Sequence, residues 1–304
     1  MAKDQRPGKI CVQIVNSGKK QRTVSRPFVI TGKGLHHGKP VQVVVHPGEV
    51  DQGIVFHVSQ NQRKVIIPSH FRYLQSSSRN SSLVHEDILL STVEHFLAAS
   101  WGVGIDNLSV EVEGEETELP AGDGSCAIWL DGFQRSGFQE QEALRWDYQV
   151  QRAFWVGENG RYLFVLPSDV FKATYFLDHF FGSSFVQCMS FFENQDSFGR
   201  IANARTFAFQ SEVQHIIQAG LGQGVRETAL ILDENGQSMQ PFTLMGEPGY
   251  HKIIDLIGDL MLIGHRVMGH FIGLRSGHAM NHQMVKLIAK RASLFDENRS
   301  ESDY

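Results

Sequence analysis

Apolar and polar positions along the chain switch between two periods. Val41-Gln42-Val43-Val44-Val45, Gly53-Ile54-Val55-Phe56-His57-Val58 and Asn107-Leu108-Ser109-Val110-Glu111-Val112 are alternating runs, and a period near two reads as strand. Gly32, Gly34 and Gly38 punctuate a tight loop in TGKGLHHG, and the polar stretch 75–82 reads as a further loop. Ser91-Thr92-Val93-Glu94 opens a helical pattern that continues through HFLAAS and closes at Gly102. A second helix is predicted over 125–136. The stretch 137–147 is charged and poor in apolar residues, so a domain boundary is placed there, giving a first domain over 1–145 and a second over 146–304.

In the second half, strands are predicted over 148–156, 162–167, 172–177 and 189–192. A helix over 207–219 follows, with Gly220 as a left-handed cap. A short strand at 229–233 leads to the longest apolar helix, 250–268, then a strand at 270–274 and a helix at 282–292. The polar tail 295–304 reads as frayed. Each half thus carries several strands and two helices. The expected class is α+β, as two domains of similar build, and 304 residues suit two cores better than one.

Composition narrows the function classes. A hydrophobic share of 41% and a charged share of 20% are globular values, so most of the chain should fold. A formal net charge of -5 gives no reason to expect a nucleic-acid partner. Cys11, Cys126 and Cys188 are far apart and odd in number, which argues against a disulfide framework and against a thiolate metal site. A reducing cytosol fits this usage. MAKDQRPGKI lacks the apolar core of a signal peptide, and no apolar run reaches the ~18 residues of a membrane span. The 14 histidines prompt a search for clusters.

Four short motifs carry candidate chemistry, each with a plainer alternative. His251 and Asp255 are four apart on the predicted apolar helix and share a face, so they can grip one metal ion, with Asp259 on the same stripe. The alternative is a solvated face with an i,i+4 pair. In Glu94-His95, neighbours on a helix point ~100° apart, so one can ligate a metal while the other faces its water. Ser91-x-x-Glu94 is also a capping-box pattern. His278, in SGHAMN at the end of a strand, suits a general acid, or is a surface histidine. Thr206 either caps the helix after it or donates to an oxyanion. Two histidines and an aspartate would leave a fourth position for water, the arrangement of a catalytic rather than a structural zinc.

At these residues the chain resembles the UDP-3-O-acyl-N-acetylglucosamine deacetylases of lipid A synthesis in Gram-negative bacteria. The matching segments run in the family's order: GKGLHHG (32–38), STVEHFLAA (91–99), GIDN (104–107), LPAGDGS (119–125), ARTFAF (204–209), HKIIDLIGDL (251–260), GHRVMG (264–269) and SGHAMN (276–281). The resemblance implies two similar sheet-plus-two-helix domains packed face to face, with a zinc site in the cleft. It implies His95, His251 and Asp255 as ligands, Glu94 as general base, and His278 as general acid steadied by Asp259. Thr206 would help hold the oxyanion, Lys252 would face substrate beside the ligand helix, and His36 would line the site. The same donors accept iron(II). The implied substrate is a UDP-linked, acylated N-acetylglucosamine, handled by a cytoplasmic monomer with no nucleic acid and no membrane span.

The implied acyl passage lies near Thr206, with Phe207 and Phe209 as candidate contacts. Val213, Ile216 and Ile217 fit the same region, but their spacing also matches a buried helical stripe, and core is the expected role for most of these. Ala208, His282 and His37 depart from the family pattern, which has glycine, a second asparagine and a variable residue there. The rival classes are another zinc hydrolase and a protein that binds a nucleotide sugar or lipid without catalysis.

Overall fold

The computed structural model of the protein describes residues 11–75, 79–178 and 185–293. The predicted frayed tail 295–304, the N-terminal 1–10, and residues 76–78 of the predicted polar loop lie outside these.

The first half runs β1 (Val12–Val24), β2 (Phe28–Lys33), β3 (Pro40–Pro47), β4 (Ile54–Gln60), β5 (Arg63–Pro68), a 3₁₀ turn at Phe71–Tyr73, β6 (Leu74–Gln75), β7 (Ser82–His85), β8 (Ile88–Leu90), α1 (Glu94–Gly102), β9 (Leu108–Gly114) and α2 (Ala127–Ser136). The second runs β10 (Phe138–Val150), β11 (Phe154–Glu158), β12 (Arg161–Leu166), β13 (Phe171–Asp178), β14 (Val186–Phe192), α3 (Phe198–Ile201), β15 (Phe207–Phe209), α4 (Gln210–Gln218), β16 (Leu230–Leu232), α5 (Glu247–Met261), β17 (Arg266–Leu274) and α6 (His278–Ser293). The class is α+β, as expected.

Two large sheets organise these elements. The first has the order β2-β3-β9-β4-β5 and is antiparallel except for β4 beside β9. Alternation sets its inner face: Val41, Val43 and Val45 on β3 and Leu108, Val110 and Val112 on β9 are all buried. That face meets Phe96 of α1 through Phe56, and Phe96 in turn meets Trp129 and Phe133 of α2. Truncating a ring packed like Phe96 to alanine costs about 3–5 kcal/mol. The second sheet has the order β1-β10-β17-β12-β11, with β13 and β14 joined to it through β17. Its helices are α5, against β13 and β14, and α6, against β1, β11 and β12.

Several predicted elements shift. The charged stretch 137–147 is mostly strand: β10 runs through it and pairs antiparallel with β1 over nearly its whole length. β1 therefore joins the sheet of the second half although it begins the described chain. The predicted helix 207–219 opens with the strand Phe207–Phe209 and becomes helical at Gln210, and Thr206 caps nothing, since Phe209 holds the cap position. The predicted helix 250–268 starts three residues earlier and ends at Met261, because Arg266–Met268 are needed by β17. His278 follows the strand β17, as expected, but across a short turn, and it opens α6.

α1 links the two halves. All its residues from Glu94 to Trp101 are buried, so it has no solvent face. It crosses α5 at Gly258, where an added Cβ would lie 2.0 Å from the carbonyl oxygen of Glu94. Only glycine permits that approach, and it brings the start of α1 onto the middle of α5. Buried apolar residues from both sheets form one continuous cluster around this crossing. Among the described residues, no helix is long and apolar enough to cross a membrane.

Candidate active site

The crossing of α1 and α5 collects the candidate residues. α1 begins after Thr92, a β-branched residue at φ 59°, a conformation that costs of order 1–3 kcal/mol and needs support. The support is Glu118, whose buried carboxylate accepts from the Thr92 hydroxyl at 2.9 Å and from the backbone N–H groups of His36 and His37 at 2.8 and 2.9 Å. The capping box read from Ser91 and Glu94 does not form. Val93 occupies the cap position without a side-chain bond, and the Glu94 carboxylate instead accepts the Ser81 N–H at 3.0 Å.

α5 is anchored at its first residue. Glu247, fully buried, accepts from Arg205 through Nε at 2.8 Å and Nη2 at 3.2 Å, and from the backbone of Arg205 and Thr243. This ties the 203–206 segment to the helix that carries His251 and Asp255. One consequence is direct: His251 Nδ1 lies 3.0 Å from the Ala204 carbonyl and donates to it, so its Nε2 lone pair points elsewhere.

That lone pair meets His95 and Asp255. His251 Nε2 is 3.4 Å and His95 Nε2 3.6 Å from Asp255 Oδ1, and the two rings sit edge to face at 5.1 Å. One donor atom from each of the three residues lies within 4.8 Å of the other two. All three residues are buried, and Asp255 Oδ1 has no hydrogen-bond partner. A buried carboxylate oxygen left facing two imidazole nitrogens is costly, and a divalent cation removes that cost. The residues present therefore fit a metal ion. Burial lowers the His251 value to about 4, so the imidazole is neutral, as a ligand must be. Burial pushes the Asp255 value up, but His251 and Lys252 outweigh it, and the carboxyl is held well below its usual range.

Glu94 and His278 stand beside this triad. His278 Nε2 is 3.9 Å from Glu94 Oε1 and 3.7 Å from Asp255 Oδ2. Its Nδ1 donates to Asp259 Oδ2 at 2.8 Å. Burial alone would lower the His278 value, but the carboxylates of Asp259, Asp255 and Glu94 prevail and push it up to about 9. Burial raises the Glu94 value, with His278 and His95 pulling the other way. A protonated imidazole thus faces a buried carboxylate across the triad. What presents His278 is the turn after β17: Arg275, at φ 52°, is clamped to Asp178, and Tyr175 donates to the Ser276 carbonyl.

Asp259, His278 and His282 also converge closely enough to suggest an ion. Here the carboxylate is already satisfied: Oδ2 accepts from His278 and Asn281, and Oδ1 accepts from the Ser81 hydroxyl. That cluster is a hydrogen-bond network.

The remaining candidates fall around the triad. Lys252 Nζ bonds Asp255 Oδ2 at 2.8 Å and lies 5.5 Å over the Phe207 ring. Burial works against its charge, yet Asp255 raises its value above that of an ordinary lysine. Phe207 also sits edge-on to His251 at 6.3 Å. Phe209 is buried against Leu230 and Leu232. Thr206 is half-buried, its N–H bonded to the Gly124 carbonyl at 2.8 Å. His36 is half-buried with Nδ1 unpartnered, and burial lowers its value, with weaker effects from Glu118, Arg79 and His278.

α4 differs from the core role expected of its apolar residues. None of its residues is buried, and Ile217 is 53% exposed. Val213 and Ile217 instead line a groove of about 840 Å³ with Ile231 and Met239. Its unit, β15-α4-β16, starts at Phe207 against the triad.

Three contributors escaped the sequence reading. Ser81 and Glu118 lie in no periodic pattern, and Arg205–Glu247 joins positions 42 apart. LPAGDGS begins one residue after Glu118, the only sequence signal pointing near it.

Comparison with known proteins adds a family match and curated relatives. A family model described as UDP-3-O-acyl N-acetylglycosamine deacetylase matches residues 21–290. A UDP-3-O-acyl-N-acetylglucosamine deacetylase of Myxococcus xanthus is 34% identical over 282 residues, covering 91% of this chain and 88% of its own. Proteins of the same name from Nitratidesulfovibrio vulgaris and Syntrophotalea carbinolica are 33% and 32% identical, over 91% and 90% of this chain and 90% and 88% of theirs.

Proposed function

The chain belongs to the UDP-3-O-acyl N-acetylglycosamine deacetylase family, and from that premise we propose that it hydrolyses the N-acetyl group of a UDP-linked 3-O-acyl-N-acetylglucosamine. Water and the acetamide give acetate and a free amine, the committed step of lipid A synthesis. The observation that carries the reading is the buried His95/His251/Asp255 triad with an unpartnered Asp255 oxygen, flanked by Glu94 and His278.

His95, His251 and Asp255 would hold the ion, and two imidazoles with one carboxylate suit zinc, with iron(II) accepted by the same set. Such an ion would acidify a water and polarise the acetamide carbonyl. Lys252 would keep Asp255 oriented through its second oxygen. Glu94, ionised, takes the proton of the attacking water. The water oxygen bonds to the acetamide carbon, and the Thr206 hydroxyl donates to the oxyanion that develops. An amine leaves poorly unless protonated, so His278 passes its Nε2 proton to the nitrogen as the C–N bond breaks. Asp259 holds His278 through Nδ1 throughout.

The sugar would lie between the His36 loop and Lys252. Phe207 would guide the acyl chain from the triad to the groove of Val213, Ile217, Ile231 and Met239, while Phe209 braces the wall from behind. The reading needs one copy of the chain and places it in the cytoplasm, where UDP-sugars are made. Its test is release of free amine from UDP-3-O-acyl-N-acetylglucosamine, compared with acetylated sugars lacking UDP and the acyl chain. Turnover of the full substrate well above the simple sugars supports it. Equal turnover of both points to a broader amidohydrolase, and no turnover of either by metal-loaded protein overturns it.

A further inference from the structure

Ser81 is fully buried and bonds Glu94 on one side and Asp259, the partner of His278, on the other. Its backbone N–H donates to Glu94 Oε2 at 3.0 Å, and its carbonyl accepts the N–H of Val93, just before α1. Its hydroxyl bonds Asp259 Oδ1, and His282 Nε2 lies 2.6 Å from the same hydroxyl oxygen. Directions follow from valence. Ionised Asp259 only accepts, so the hydroxyl proton goes to it. The Ser81 oxygen then has only lone pairs left, so His282 Nε2 carries the proton and donates. A one-way chain results, from His282 to Ser81 to Asp259.

The far oxygen of Asp259 accepts from His278 Nδ1 and from Asn281, both at 2.8 Å. With both oxygens engaged, the carboxylate cannot rotate, and His278 cannot swing its Nε2 away from Glu94. His278 and His282 are one turn apart on α6, so the same helix supplies the acid and the end of the chain that steadies it.

We propose that Ser81, held by His282, is a positioning residue that sets the spacing between the proton acceptor Glu94 and the proton donor His278. This rests on the roles given to Glu94 and His278 above. A Ser81→Ala variant loses the hydroxyl but keeps the backbone bond to Glu94. With metal-loaded enzyme and UDP-3-O-acyl-N-acetylglucosamine, kcat should fall by about 10–100-fold, the scale for groups that orient others, with KM and metal content near wild type. Ser81→Thr, which restores the hydroxyl, should recover most of the loss. His282→Leu should behave as Ser81→Ala does, and His282→Gln, which keeps a donor at the same reach, should recover most of its turnover.

Wild-type kcat in Ser81→Ala, or a fall in kcat matched by loss of metal or a rise in KM, overturns the proposal. So does failure of both conservative variants to recover turnover. If Ser81→Ala does not fold, the His282 pair decides by the same readouts. Absence of deacetylation by wild type defeats the functional reading and this proposal with it. Turnover by wild type with unaffected Ser81→Ala and His282→Leu defeats this proposal alone.

Discussion

Glu94 and His278 face each other at 3.9 Å with their ordinary ionisation reversed in ease: burial makes Glu94 harder to ionise, and three carboxylates make His278 harder to deprotonate. With Glu94 as the proposed base and His278 as the proposed acid, the reaction needs Glu94 ionised and His278 charged. The rate should therefore rise with pH as Glu94 loses its proton and fall as His278 loses its own. The alkaline limb belongs at or below about 9, because a dication held by Asp255 pulls the His278 value down. A pH profile of kcat/KM checks this, and His278→Gln should remove the alkaline limb; its survival would assign that limb to another group. Glu94→Gln and His278→Gln should each lower kcat by about 10²–10⁴-fold with metal retained. Of these residues, His251 and Asp255 were legible because helical periodicity alone puts positions four apart on one face. His95 was joined to them only by the count of ligands and by the family resemblance, since nothing local connects it to residues 156 positions away. Ser81 left no trace, because one serine among several in a polar stretch has no pattern to break.

Helix α1 is placed by one missing side chain on α5. Gly258→Ala would drive a methyl into the Glu94 carbonyl, and overpacking of this kind costs about 1–3 kcal/mol. The two helices should separate slightly, moving His95 from His251 and Asp255. A thermal melt should show a loss of several degrees, and a metal titration should show weaker binding. Unchanged metal affinity with a lowered melting point would mean that the crossing supports the fold alone. The strands β3, β4 and β9 and the helices α1 and α2 were legible from period and punctuation. β10 was not, because its burial pattern leaves only three of its 13 positions buried and its charged residues mimic a linker. The Phe-Ala-Phe strand β15 was too short for period two to be told from a helical start. The early start of α6 was hidden by His278 and Asn281, polar residues buried for the network they make.

At the scale of the molecule, two sheets and their helices meet where α1 crosses α5, and the candidate site sits at that crossing. β1 belongs to the sheet of the second half through pairing with β10, a long-range register that no local pattern announces. The α+β class was legible from the alternation of elements, whereas the layout around the crossing depends on long-range contacts that no local pattern shows. The β15-α4-β16 unit projects from the triad with apolar side chains uncovered, which suits a long acyl chain. Ile217→Glu should raise KM for a long-chain substrate about tenfold or more and leave a short-chain analogue nearly unaffected. Equal effects on both chains would move the passage elsewhere. The claim beneath all of this is that His95, brought across by α1, completes an ion site with His251 and Asp255. Metal analysis of the purified protein, beside His95→Ala and Asp255→Ala variants that remain folded, tests it most directly. About one tightly held divalent ion per wild-type chain, lost in both variants, is the predicted result. Stoichiometric metal retained by His95→Ala, or none bound by the wild type after zinc loading, would contradict it.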